Sequence, residues 1–235
     1  MTLAKRLAAE GLGTALLLCA IVGSGIMAQA LTKGNAGLAL LANSLATGGA
    51  LVCLIAAFAP VSGAHFNPVV SLSAAFSGEI SWREAAAYGA MQIAGACVGA
   101  IAANLMFGLP AVNLSGRIRS GPGLWLGEFI ATLGLLLVIR LCARYRASAL
   151  PVSVAAYIVG AYWFTSSTSF ANPAVTIARS LSDTFAGIRP ADIPWFILAQ
   201  FAGCAAATLI TIWLLSPPKE HRARETQGLV RLHPQ

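Results

Sequence analysis

The sequence predicts an all-α membrane protein with six transmembrane helices and two re-entrant half-helices arranged as an inverted repeat. Three observations predict this fold class: an apolar composition, six apolar stretches of spanning length, and an Asn-Pro pair that occurs twice. Of the 235 residues, 57% are hydrophobic and only 10% are charged, which is too apolar for a soluble domain with a solvated surface. The chain is therefore expected to lie in the lipid bilayer.

Six apolar stretches have about the 20 residues that a helix needs to cross the hydrocarbon core. They cover approximately residues 7–31, 38–60, 84–107, 123–142, 150–168 and 192–215. Beyond Ser216-Pro217-Pro218 the sequence becomes polar and charged. We expect a membrane domain over residues 1–218 and a polar cytoplasmic tail over residues 219–235.

Each half-helix is predicted from an Asn-Pro pair, at Asn67-Pro68 and at Asn172-Pro173. Asparagine is a favoured N-cap and proline is favoured at the first helical position. The predicted helices, 68–77 and 173–182, would be about 15 Å long, half of a ~30 Å hydrocarbon core. If they met tip to tip, both asparagines and both positive helix ends would lie at the bilayer midplane.

The two halves of the chain match at further positions. Glu10 opens the first span as Glu128 opens the fourth, and Gln92-Ile93-Ala94-Gly95 is echoed by Gln200-Phe201-Ala202-Gly203. The repeats cover about residues 7–107 and 123–215. With three spans in each repeat, the second copy must enter the membrane from the opposite side, which gives an inverted repeat.

The basic residues indicate the orientation of the chain. With a cytoplasmic N-terminus, ten of them lie inside: Lys5, Arg6, Arg83, Arg140, Arg144, Arg146, Lys219, Arg222, Arg224 and Arg231. Five lie outside: Lys33, Arg117, Arg119, Arg179 and Arg189. The excess favours both termini inside, although Arg117 and Arg119 count against it. The net charge of +7 does not indicate a nucleic-acid partner, because the basic residues form no patch with interleaved aromatics.

The sequence contains no recognisable catalytic or metal-binding constellation, so neither an enzyme nor a cofactor is predicted. Of the three histidines, His221 and His233 lie in the tail, and His65 is expected to shape the loop before Asn67 rather than to relay protons. The cysteines fall inside apolar segments without metal-ligand spacing, and no disulfide is predicted. They are Cys19, Cys53, Cys97, Cys142 and Cys204.

Glu10 and Glu128 are carboxylates within apolar segments, where an isolated charge is costly and commonly functional. The alternative is that each lies in the first turns of its helix, where the dipole stabilises it. Their matched positions favour a shared role. We expect them to accept hydrogen bonds from backbone N–H groups of the re-entrant loops, because lipid offers no acceptor.

Two segments together resemble the pore motifs of the aquaporin, or major intrinsic protein, family. They are Ser62-Gly63-Ala64-His65-Phe66-Asn67-Pro68-Val69-Val70 and Ala171-Asn172-Pro173-Ala174-Val175, and the resemblance covers about residues 7–215. It implies a homotetramer with one pore per subunit, passing water or small neutral solutes passively. Similarity to bacterial members also implies the inner membrane.

The chain departs from the family pattern at two places. Val69 replaces the usual alanine of the first motif and adds bulk beside the midplane, and Val175 stands where most members carry the filter arginine. By the family's spacing, the other filter positions are Thr47, Gly160 and Ser169. The missing arginine and aromatic predict a wide, weakly polar filter. Arg179, four residues beyond Val175, is expected at the outer rim and not as a substitute.

Several functions remain open from the sequence. The leading hypothesis is a passive channel for small uncharged solutes such as glycerol, arsenous acid and water. An ordinary water-selective channel is the nearest alternative. Inverted repeats with broken helices also occur in ion-coupled secondary transporters, which usually carry ionisable residues near the midplane. A structural junction or adhesion role is a further alternative, although the outer connections here are short.

Overall fold

The computed structural model describes residues 1–216 and consists of helices joined by loops, so the predicted fold class is confirmed. The predicted tail, 219–235, lies outside the described residues. The helices are α1 (Leu3–Leu31), α2 (Ala36–Ser62), α3 (Pro68–Phe76), α4 (Trp82–Met106), α5 (Pro122–Tyr145), α6 (Leu150–Phe164), α7 (Pro173–Arg179) and α8 (Ile193–Leu215). Single 3-10 turns at Ala147–Ala149 and Pro190–Asp192 precede α6 and α8. All except α3 and α7 belong to segments long and apolar enough to cross a membrane.

The helices of each repeat pack together, and the half-helices join the repeats. α1 packs along α2 and α4, while α5 packs along α6 and α8. α7 also packs on α4 of the first repeat, and α3 packs on α8 of the second. The two half-helices therefore lie inside the bundle with protein around them, which is where non-helical backbone is tolerated at membrane depth.

Glycine allows the closest contacts between spanning helices. A Cβ atom added at Gly95 would lie 2.1 Å from the carbonyl oxygen of Gly11, and one at Gly99 would lie 2.1 Å from that of Ala15. Both approaches are shorter than any real Cβ contact, so only glycine fits at these α4 positions. α1 and α4 thus touch backbone to backbone, as small residues permit in membranes.

The fifth predicted span and the second half-helix are shorter than expected. α6 ends at Phe164 instead of residue 168, and Thr165 closes it by donating its hydroxyl to the carbonyl of Ala161 (2.7 Å). α7 ends at Arg179 instead of residue 182. The following backbone pairs with the loop after α4, since Ser115 N–H donates to the carbonyl of Ser180 (2.9 Å).

Six crossings put both ends of the helical domain on one side of the bundle, here called the terminal face; the opposite side is called the distal face. α2 runs towards the terminal face, and α3 runs back towards the same face from the point where its cap meets that of α7. α6 runs towards the distal face, and α7 runs back towards that face from the same meeting point. The two half-helices therefore point away from each other, with their N-termini together.

Candidate functional site

The two half-helices begin in the same way. Asn67 and Asn172 both have extended backbones (φ −156° and −158°) and cap α3 and α7. The Asn67 side-chain oxygen accepts from Val69 N–H (3.1 Å), and the Asn172 oxygen accepts from Ala174 N–H (2.9 Å). Each oxygen is therefore occupied by its own helix, and each side-chain NH₂ group points away from that helix end.

The two caps are joined across the repeats. Asn67 Nδ2 donates to the carbonyl of Ala171 (2.8 Å), and Asn172 Nδ2 donates to the carbonyl of Phe66 (2.8 Å). A side-chain amide carries two N–H donors. One donor of each asparagine thus holds the opposite loop, and within the described part of the chain the other donor remains for a molecule beside the caps.

Glu10 lies beneath the first re-entrant loop and is completely buried. Its carboxylate accepts from His65 N–H (3.0 Å), Phe66 N–H (2.7 Å) and the hydroxyl of Ser62 (2.6 Å). Gln92 Nε2 donates to the same carboxylate (2.8 Å). The carboxylate thus provides acceptors for loop donors that neither lipid nor a helix could satisfy.

Glu128 has the matching position in the second repeat and is also completely buried. It accepts from Phe170 N–H and Ala171 N–H, both at 2.8 Å, and from Gln200 Nε2 at 2.7 Å. Gln200 Nε2 also lies 2.8 Å from the hydroxyl of Thr176 on α7. In the sequence, Gln92 and Gln200 indicate only the internal repeat, whereas their bonds to Glu10 and Glu128 depend on the tertiary structure.

The loops held by these carboxylates are strained. Ala64, Phe66, Ser169 and Ala171 have φ values between 49° and 50°, a left-handed conformation that is unfavourable for residues other than glycine. Such strain persists only where surrounding contacts over-determine the backbone. The buried glutamates provide those contacts in both loops.

A cavity of about 250 Å³ passes the two asparagines. Its wall is formed by residues at regular helical spacing: Thr47, Leu51 and Ile55 on α2, and Leu150, Val154, Ile158 and Tyr162 on α6. Asn172, Val175 and Arg179 on α7 contribute at positions i, i+3 and i+7, the spacing of one helical face. The wall is mostly apolar, with polar groups at the middle and at both ends.

Of the four filter positions expected from the family's spacing, Thr47, Ser169 and Val175 line this cavity. Gly160 does not, and Tyr162 lies in the wall two residues later. Each residue turns an α-helix by about 100°, so two residues that are two positions apart differ by about 200°. Gly160 and Tyr162 therefore face nearly opposite directions. The expectation that Gly160 widens the lumen is therefore not supported by its placement.

The motif residues beside the asparagines are buried in protein. Val69 is completely enclosed and packs in a cluster with Val70, Leu136 and Cys204. The cavity wall contains Val70 rather than Val69, so the bulk expected from Val69 at the constriction lies outside the lumen. Pro68, Pro173 and Ala174 likewise form the helix starts and do not line the cavity.

Arg179 lines the cavity, where the sequence predicted only a rim position. Its guanidinium carbon lies 3.4 Å from the centre of the Phe170 ring, and its Nε donates to the carbonyl of Ala186. Arg119, from the loop before α5, lies 4.9 Å from the same ring centre and donates to the carbonyl of Gly187 (2.8 Å). The signal that could have indicated Arg179 is its spacing of one turn from Val175.

The terminal end of the cavity contains a second polar group. His65 Nδ1 lies 3.0 Å from the hydroxyl of Ser71, and the His65 ring packs edge-on against Tyr88. Arg140 of α5 pairs with Glu79, and both line the cavity. The loop-shaping role expected for His65 is compatible with these contacts, whereas the Arg140–Glu79 pair was missed because the two residues are far apart in sequence.

Six spanning segments and two half-helices meeting at paired asparagines define the class of aquaporin-like membrane proteins. The chain belongs to the major intrinsic protein family, whose model matches residues 1–167. The resemblance recognised in the two Asn-Pro motifs is therefore confirmed.

Individual relatives agree with this assignment. The chain is 51% identical to aquaglyceroporin AqpS of Rhizobium meliloti (strain 1021) over 217 residues, which cover 92% of this chain and 93% of that protein. It is 30% identical to the glycerol uptake facilitator protein of Bacillus subtilis (strain 168), over 55% of this chain and 53% of that protein. The structure of the aquaglyceroporin from Plasmodium falciparum superposes with a TM-score of 0.64 at 23% identity, covering 89% of this chain and 94% of that one.

Proposed function

We propose that the protein is a passive transmembrane channel for small uncharged solutes, with glycerol-like polyols, arsenous acid and water as its substrate class. The observation that carries the proposal is the meeting of Asn67 and Asn172 beside one cavity, each bonded to the loop of the other. This arrangement supplies polar donors in the middle of an otherwise apolar passage. A channel of this kind has no chemical step, and we propose no enzymatic activity.

Charge supports the preference for neutral solutes. Both half-helices direct their N-termini at the cavity, and a helix N-terminus carries a partial positive charge of about half an elementary unit. The unused N–H donors of Asn67 and Asn172 add to that potential. Cations are repelled there, while a hydroxyl oxygen can accept a hydrogen bond as it passes.

The chemistry of the cavity wall favours a polyhydroxylated solute over water alone as the substrate. Leu51, Ile55 and Val154 provide an apolar side, while the side-chain amides of Asn67 and Asn172 provide a polar side. A polyol has a carbon side and a hydroxyl side that match these two surfaces. The names of the relatives, an aquaglyceroporin and a glycerol uptake facilitator, support the same class.

Membership of the family and the distribution of charge support a proposal for the assembly and the orientation. We propose a homotetramer with one pore per subunit, in which apolar side chains on the outside of the bundle contact lipid or neighbouring subunits. Leu209 and Trp213 of α8 are examples, with 69% and 76% exposure. We also propose that both termini lie in the cytoplasm of a bacterial inner membrane, as the distribution of Lys and Arg predicts.

Proteoliposome swelling tests the proposal. Vesicles containing the protein should swell faster than empty vesicles under inward-directed gradients of glycerol or arsenous acid, and should shrink faster when an impermeant osmolyte draws water out. An imposed ion gradient should leave these rates unchanged. A requirement for the ion gradient would indicate a secondary transporter instead. Water flux without glycerol or arsenous acid flux would favour a water-selective channel, for which the Tyr162 side chain in the wall is the supporting observation.

A further inference from the structure

We propose that Tyr162 and Arg179, rather than Gly160 and Val175, provide the bulky side and the charged side of the selectivity constriction. This inference rests on the proposed channel function and identifies the residues that discriminate among solutes. The filter arginine is then not lost from this chain but displaced by one helical turn towards the distal face. Selection by size and charge occurs at that displaced level.

The register of α7 is the first argument. Asn172, Val175 and Arg179 all line the cavity, and their spacing of three and four residues keeps them on one helical face. Four residues advance a helix by about 6 Å. Arg179 therefore lies along the same wall as Val175, about 6 Å nearer the distal face.

The register of α6 gives the same displacement. The cavity-lining residues Val154, Ile158 and Tyr162 recur at four-residue intervals, and Tyr162 is the last of them before the helix ends. A Cβ atom added at Gly160 would have the Phe164 ring as its nearest neighbour, at 3.8 Å. A side chain at position 160 would thus contact the Phe164 ring, while the Tyr162 side chain lines the cavity.

Three helices contribute a residue to the distal end of the cavity. On α2, which descends from the distal face, this residue is Thr47; on α6 it is Tyr162; on α7 it is Arg179. The hydroxyl oxygens of Thr47 and Tyr162 are 3.3 Å apart, so these two walls meet. The distal end of the cavity is therefore bounded by an aromatic ring, a hydroxyl and a guanidinium.

The guanidinium of Arg179 has N–H donors that are not used in hydrogen bonds within residues 1–216. Nε uses one N–H on the carbonyl of Ala186, and arginine carries five N–H groups. Within residues 1–216 the two terminal nitrogens of Arg179 have no hydrogen-bond acceptor, and they are not among the polar atoms that are fully enclosed by protein. Arg179 also forms no ion pair with a carboxylate in this part of the chain. Since Arg179 lines the cavity, these donors and an unneutralised charge face the lumen.

Packing against Phe170 fixes the position of that charge. The ring lies against the guanidinium groups of both Arg179 and Arg119, and Phe170 N–H is held by Glu128. A guanidinium held in this way is preorganised to donate to a passing hydroxyl oxygen and to repel a cation. The Tyr162 ring then limits the size of the solute that can use those donors.

An arginine relocation experiment tests the charged side. In proteoliposomes, Arg179→Val should increase potassium leak about tenfold, which corresponds to a barrier lowered by about 1.4 kcal/mol. The double change Val175→Arg with Arg179→Val returns the charge to the lumen one turn deeper and should restore low leak. If Arg179 served only to anchor Ala186, the second substitution would not rescue. Arg179→Gln, which keeps a donor for that carbonyl, replaces the valine variant if the latter does not fold.

A matched pair of α6 variants tests the bulky side. Tyr162→Leu should raise xylitol permeability relative to glycerol about tenfold, whereas Gly160→Ala should leave the ratio as in the unmodified protein. Unchanged selectivity in Arg179→Val and Tyr162→Leu, with water flux retained, would overturn the inference, as would an altered ratio in Gly160→Ala. An unmodified protein that passes neither water nor glycerol would instead overturn the channel function itself.

Discussion

Asn67 and Asn172 lie in reciprocal positions, each donating a 2.8 Å hydrogen bond to the carbonyl of the residue that precedes the other. The two re-entrant loops are thereby joined at the point where both half-helices begin. Neither loop can shift without moving the cap of the opposite helix. The midplane of the cavity is consequently defined by both repeats together.

Replacing Asn67 or Asn172 with aspartate should raise cation leak. Aspartate keeps the oxygen that caps the helix but loses the amide donor and adds negative charge beside the lumen, which attracts cations. Ion conductance of proteoliposomes measures the effect, with water flux as a control for folding. Conductance that stays at the level of the unmodified protein in the Asn67→Asp and Asn172→Asp double variant would contradict the proposed barrier.

Glu10 and Glu128 are expected to support the re-entrant loops by accepting hydrogen bonds from their backbone N–H groups. Glu→Gln keeps one acceptor oxygen at each site, whereas Glu→Ala strands buried donors at a cost of about 1 to 3 kcal/mol each. Glu10→Ala should therefore lower the thermal stability of the purified protein much more than Glu10→Gln does. The same comparison at Glu128 provides an independent repeat. Equal losses in both substitutions would point to a role specific to the charge.

Val175→Arg should reduce glycerol permeability sharply while water flux survives. The new side chain extends from the cavity wall and adds bulk and a second guanidinium about 6 Å deeper than Arg179. Stopped-flow light scattering separates the two fluxes, because vesicles swell as glycerol enters and shrink as an impermeant osmolyte draws water out. Val175→Leu, which adds apolar bulk without charge, is the matched control. Equal glycerol flux in Val175→Arg and the unmodified protein would argue against a lumen position for residue 175.

Gly95→Ala should destabilise the protein, because its Cβ would lie 2.1 Å from the carbonyl oxygen of Gly11 and the two backbones cannot separate locally. The matched control is Gly49→Ala on α2, where an added Cβ has no neighbour within 4 Å among residues 1–216 and alanine is the better helix former. Thermal unfolding in detergent should show a lower midpoint temperature for Gly95→Ala than for the unmodified protein. The midpoint of Gly49→Ala should not be lowered. Equal midpoints would mean that α1 and α4 pack less tightly than the structure indicates.

Much of the fold could be predicted from local sequence. The Asn-Pro pairs indicated both half-helix starts, and α3 and α7 begin at Pro68 and Pro173. Glu10 and Glu128 were selected because a carboxylate in an apolar segment needs donors, and the backbone of both loops supplies them. Boundaries such as the end of α7 were less accurate, since they depend on pairing with a distant loop.

The wall of the cavity was harder to predict, and residues Gly160 and Arg179 show why. Family spacing counts residues along the chain, but the residue that faces the lumen depends on the rotation of each helix and on the level at which it meets its neighbours. The cavity lining contains Tyr162 and Arg179 but not Gly160. Neither rotation nor level is a property of one segment.

The spans, the half-helices, the duplicated motifs and the family can be recognised in the sequence, because hydrophobic length, capping and internal repetition act over neighbouring residues. The set of side chains that share the lumen depends instead on the packing of the helices. Asn67 and Ala171, or Tyr162 and Thr47, come together through packing between elements from different parts of the chain. Contacts of that kind depend on helix rotation and on the depth at which two half-helices meet, and both are set by the packed bundle as a whole.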